Sequence, residues 1–136
     1  MTDRQIAARA YLNRVHHMNQ KADALERECE TLSKYAGGEC AAISELKEII
    51  SRERKECYDV ISRTKEIIEQ ADAEHYALLS YRYIGCKRWD EIESYLHISE
   101  ATRKRMHCEA LDVVADVLEK LNLFEPLAPP YHGIRN

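Results

Sequence analysis

Tyr83-Ile84-Gly85-Cys86-Lys87-Arg88-Trp89-Asp90-Glu91-Ile92-Glu93-Ser94-Tyr95-Leu96-His97-Ile98-Ser99-Glu100-Ala101-Thr102 is the stretch whose reading decides the fold. Ile92 and Leu96 stand four apart, one face of a short helix over 89–96, and Ile98 closes a turn beneath them. Gly85-Cys86-Lys87 breaks the chain before that helix and His97-Ile98-Ser99 breaks it after. Ser99 is placed to cap the next helix by accepting from the amide of residue 101 or 102. Position 102 is Thr rather than Glu, so a full capping box is not expected.

Working outward, the helix after Ser99 is expected to run from 100 to about 121. Its inward stripe is Met106, Ala110, Val113, Val114, Val117, Leu118 and Leu121, while its first turns show Ala101, Lys104, Arg105 and Cys108 outward. Upstream, Asp72 is a natural N-cap for a helix reaching Ile84, with Glu74 favourable at its positive end. Three helices joined by turns of about three residues are the skeleton of a helix-turn-helix.

The N-terminal half carries a different period. Ala8, Tyr11, Val15, Met18, Ala22, Leu25, Cys29, Leu32 and Ala36 alternate spacings of three and four, a heptad seam on one helix over 3–36. Gly37-Gly38 stops it. Over 39–70 the pattern resumes with Ile43, Leu46, Ile50, Cys57, Val60, Ile67 and Ala71, interrupted by Glu53 and Thr64 and widened by Ile49, Ile61 and Ile68. Two such helices across a glycine turn imply an antiparallel hairpin, each arm on the order of 45 Å long. The widened stripe points to dimerisation or partner docking. The fold expected is therefore all-α: a coiled-coil-like hairpin over 1–71, a helix-turn-helix over 72–122, and a tail over 123–136. Pro126, Pro129, Pro130 and Gly133 bar regular helix from that tail, and Leu123, Phe124 and Leu127 are its packing candidates.

Composition narrows the function classes. Of 136 residues 32% are charged and 7% aromatic, with a formal net charge of −4. That balance disfavours indiscriminate coating of nucleic acid and leaves DNA contact to a local basic patch. The five cysteines are scattered without a CxxC pair, so buried or half-buried reduced thiols are expected, with no disulfide framework and no zinc site. The histidines (His16, His17, His75, His97, His107, His132) are irregularly spaced and read as surface or turn residues. Glu91 and Glu93 do not share a helix face, and no phosphate loop, nucleophile elbow or HExxH occurs, so neither an enzyme nor a cofactor is expected. With no signal peptide or membrane-span pattern, the cytoplasm of a host bacterial cell is the expected location, with no membrane partner.

Residues 72–121 carry seven positive and ten negative side chains, net −3. The positives nevertheless cluster at 87–88 and 103–105, where a helix-turn-helix meets backbone and bases. Lys87, Arg88, Ser99, Ala101, Thr102, Lys104 and Arg105 are the candidate DNA-binding residues.

This stretch resembles region 4 of bacterial sigma factors and the related response-regulator-type helix-turn-helix. Leu79, Arg82, Tyr83 and Gly85 match a Leu-x-x-Arg-Tyr-x-x-Gly-like lead-in, with Gly one place early. Trp89-Asp90-Glu91-Ile92 is similar to its Trp-x-Glu-Ile opening, and Leu96, Ile98, Ser99, Thr102, Ala110 and Leu111 to its turn and recognition helix. The whole chain, with Tyr11-Leu12-Asn13 in its first helix, resembles an uncharacterised phage family grouped with late-transcription regulators of the ArpU and RinA type. The resemblance implies a phage or prophage transcription regulator that binds double-stranded DNA as a homodimer, with host RNA polymerase as a further partner. The competing reading is a structural adaptor whose hairpin binds protein and whose helix-turn-helix no longer binds DNA. Three residues depart from the pattern: Glu93 replaces a small residue, His97 a Gly or other small turn residue, and Arg103 an aliphatic one. Glu93 and Arg103 are therefore expected to form an ion pair across the turn.

Overall fold

The computed structural model describes residues 1–123, and the expected tail beyond Leu123, with Phe124 and Leu127, lies outside them. Among the described residues the fold is all-helical. Six helices follow in order: α1 (Asp3–Leu12), α2 (Arg14–Ala36), α3 (Ala41–Ile68), α4 (Ala73–Leu79), α5 (Trp89–Leu96) and α6 (Glu100–Lys120), with α4 running into a π turn at Ser80–Ile84. None of them is long and apolar enough to cross a membrane.

The single N-terminal helix expected over 3–36 is two. Thr2 and Gln5 form a reciprocal capping box that starts α1, and the helix is interrupted at Asn13. The break falls where the packing partner changes, because α1 lies on α6 while α2 lies on α3. Ala8 and Leu12 of α1 enter the main core at 0% exposure. Arg4 donates to Asp116 and Glu119, and Gln5 to Asp112 and the Cys108 carbonyl, tying α1 along the second half of α6.

α2 and α3 make the expected hairpin. Gly37 caps α2 at φ 70°, left-handed, with its N–H on the Ser33 carbonyl. Val15, Ala22 and Cys29 are buried at heptad spacing, and Ile43, Leu46 and Cys57 face them from α3. The two polar interruptions have different fates. Glu53 meets Lys21 at 3.4 Å, whereas Thr64 is wholly buried and its hydroxyl finds no partner among the described residues. Arg54 clamps the helices together through Asp23 at 2.8 Å and Glu26 at 2.6 Å. At 1.5 Å per residue α3 is roughly 42 Å long, so the arm outreaches the core.

That core does not respect the expected division at residue 71. It joins Ala8 and Leu12, Ile67 and Ile68, Leu78, Leu79 and Tyr83, Ile92, and the α6 stripe Met106, Ala110, Leu111, Val114, Ala115 and Leu118. Leu121, expected inward, is 55% exposed because α6 has already ended. Asn122 is left-handed, and the N–H groups of Asn122 and Leu123 close on Glu119 and Leu118, a Schellman stop. Cys108, expected outward, is half-buried under Gln5, while Cys40 and Cys86 are exposed rather than buried.

Candidate nucleic-acid interface

The candidate interface is built from α4, α5 and α6. Asp72 caps α4 as expected, its carboxylate accepting from the His75 amide at 3.0 Å. The helix then widens: Gly85 N–H reaches back to the Ser80 carbonyl at 2.9 Å and Lys87 N–H to Tyr81 at 3.0 Å. A side chain on Gly85 would put its first carbon 3.0 Å from the Tyr81 carbonyl oxygen, which explains glycine there. The next residue, Cys86, is left-handed at φ 54°. It occupies the place where the lead-in pattern sets its glycine, one position after Gly85.

α5 begins at Trp89. Glu91 accepts from the Arg88 backbone N–H at 3.0 Å, which satisfies one open donor of the first turn. The turn into α6 is a second Schellman motif: His97 is left-handed at φ 57°, its N–H lies 3.4 Å from the Ser94 carbonyl, and Ile98 N–H donates to Glu93 at 3.1 Å. This backbone requirement is the reason a glycine suits that position. Ser99 caps α6, accepting from Thr102 N–H at 3.1 Å, and its hydroxyl donates to Thr102 Oγ1.

A cluster at the seam holds these elements. Arg82 and Arg103 both lie over the Trp89 ring, 4.5 and 4.6 Å from its centroid, favourable cation–π distances. Arg82 also donates to the Lys87 carbonyl at 3.0 Å, holding the turn that presents Lys87 and Arg88. Arg103 Nε donates to Glu93 at 3.0 Å, with the side chains 12% and 22% exposed, so the expected pair across the turn is formed and partly buried. His107, read from sequence as a surface or turn residue, is buried against Trp89 and hydrogen-bonded to the Tyr83 hydroxyl at 2.6 Å. Burial, then Arg9, Arg103 and Arg82, push the His107 ring down to about 4, and burial pushes the Tyr83 phenol up to about 12. Both are neutral near pH 7.

No family model matches the chain, and neither does any solved structure.

The candidate residues divide into two groups. Ala101, Lys104 and Arg105 are exposed on the first turns of α6, and Arg88 is exposed at the start of α5 beside half-buried Lys87. Ser99 and Thr102 are engaged in the cap, so their contribution is to aim the helix. Sequence reasoning missed the acids beside the basic residues. Asp90 lies 3.1 Å from Arg88, Glu100 3.2 Å from Lys104, and Glu109 3.3 Å from Arg105. The i,i+4 spacing of the last two was the available signal. His107 gave a signal too: it is one residue after Met106 and four before Leu111, on the buried face.

Proposed function

We propose that the chain is a phage or prophage transcription regulator that binds double-stranded DNA through α5 and α6. The observation that carries this reading is a recognition-type helix, capped by Ser99, whose exposed first turns present Ala101, Lys104 and Arg105. Such a helix suits the major groove, where Lys and Arg read guanine and small side chains admit the thymine methyl. Lys87 and Arg88, at the start of the preceding helix, then meet phosphates. Host RNA polymerase as a second partner rests on the resemblance to sigma region 4 alone. The hairpin is proposed as the dimerisation element, supported by Ile49, Ile50, Val60 and Ile61, which remain only half-buried within one chain.

The test is selection of duplexes from a random pool, followed by titration of the best one between about 50 and 200 mM salt. Affinity should fall steeply over that range, and Lys104→Ala with Arg105→Ala should abolish the preference for the selected duplex. The adaptor reading is favoured by the net negative charge of 72–121 and by the acids paired with the basic residues. A parent protein that retains no duplex at any salt decides for the adaptor. Light scattering at tens of micromolar tests the dimer, and a strict monomer removes it.

A further inference from the structure

Three cations of the proposed DNA face are each held by a carboxylate from the same helix. Arg88 Nε lies 3.1 Å from Asp90, Lys104 Nζ 3.2 Å from Glu100, and Arg105 Nη1 3.3 Å from Glu109, and all six side chains are between 47% and 73% exposed. Among the described residues, Lys87 has no carboxylate within ion-pair distance. Pairs this exposed contribute little to folding, unlike the partly buried Glu93–Arg103 pair. Their larger effect is on whatever approaches the face. A duplex phosphate that takes one of these cations must displace its acid, and the displaced carboxylate is left beside a polyanion. Like charges brought together in this way act against a wrong partner. A base edge can offset the loss where it offers a donor, as the cytosine amino group would to Glu100. Glu109 is also 3.4 Å from His75 Nε2, which gives that acid a second place to go.

We propose that Asp90, Glu100 and Glu109 form an electrostatic discriminator that keeps indiscriminate DNA off the α5–α6 face and leaves only duplexes with matching base edges to bind. The proposal rests on the DNA-binding reading above. It accounts for a helix, α6, whose first two turns are basic yet which sits in a segment, 72–121, of net negative charge.

The experiment compares a random-sequence duplex of about 20 base pairs with the selected duplex, using the full chain and the variants Asp90→Asn, Glu100→Gln and Glu109→Gln, singly and combined. Each neutralised acid should raise affinity for the random duplex about two- to fivefold. The slope of log K against log salt should steepen by up to about 0.9 per cation released. The selected duplex should gain less, so the specificity ratio falls. Glu100→Asp, which keeps the charge, should behave as the parent, and Lys87→Ala should weaken both duplexes alike. Far-UV circular dichroism and melting confirm that each variant is folded, and the single variants decide if the triple one is not. A parent that binds its selected duplex while the variants keep its random-duplex affinity and slope overturns the discriminator alone. A parent that binds no duplex overturns the DNA reading, and the discriminator with it.

Discussion

Glu93 and Arg103 show how one residue in a tight turn constrains another. Two long side chains meet where α5 and α6 cross, and the guanidinium is held by both the carboxylate and the Trp89 ring. Removing the acid alone strands a charge that is 12% exposed. Glu93→Ala should therefore cost more than the ~1 kcal/mol ceiling of a surface pair. Glu93→Ala with Arg103→Val should recover much of the loss. A double-mutant cycle by urea unfolding measures this, and coupling below about 0.5 kcal/mol would show that the two do not support each other. Cys86 and His97 pose a different problem at the same scale. Both are left-handed without being glycine, at φ 54° and 57°. The steric cost of that conformation slightly exceeds the entropy that glycine loses on folding. Cys86→Gly and His97→Gly should each raise stability, by about 0.5–1 kcal/mol, as read by thermal melting; a fall in both would mean that their side chains make contacts worth more than the strain. The turns themselves were legible in the sequence, but the handedness of Cys86 was not, because glycine is the residue that favours that conformation and it stands one position earlier, at Gly85.

At the scale of elements, the seam between the π turn, α5 and α6 is held by aromatic and charged groups rather than by aliphatic ones alone. His107 is the group there whose titration matters. Its folded value of about 4 lies below the ordinary 6.5, so the unfolded chain takes up the proton first as pH falls. The stability tied to its neutral form is complete above pH 6.5, is lost progressively from there down to 4, and changes no further below. The loss should reach about 2 kcal/mol by pH 5. Urea unfolding at pH 7.5 and 5, compared between the parent and His107→Gln, isolates it from the carboxylates. Equal losses in the two proteins would mean that the ring is protonated in the folded state. The periodicity of α6 placed Met106, Ala110, Val114, Val117 and Leu118 correctly, but it left out the fully buried Leu111 and Ala115 and included Val113, which is only half-buried. It missed His107, whose polarity disguised a buried position, and it ran one turn too far at Leu121.

The whole molecule is organised by α1, which returns to the C-terminal half and lies along α6. Ala8 and Leu12 share a core with Leu78, Ile92 and Leu111, and Ile67 and Ile68 close it from the end of α3. A fragment of residues 72–123 would expose the surface those four residues cover and lose the Arg4 and Gln5 bonds to α6. It should therefore unfold without a cooperative transition, whereas the full chain should melt cooperatively; a sharp melt of the fragment in calorimetry would show that the C-terminal half folds alone. The α2–α3 arm behaves oppositely. Its outer part rests on the small cluster of Cys29, Ile43 and Leu46, and should exchange its amide hydrogens sooner than α6. Periods, caps and breakers are local, so the sequence by itself determined the all-helical class, the hairpin, the Asp72 and Ser99 caps and both turns flanking α5. The break at Asn13, the docking of α1 on α6 and the burial of His107 depend on contacts between residues about a hundred or about twenty positions apart. The acids on the basic face were spaced legibly, but which of them meet a cation depends on side-chain rotamers, which spacing does not give. The break and the docking have no periodic signature, and for His107 and the acids the spacing was legible but the contact was not; only the tertiary structure decided them.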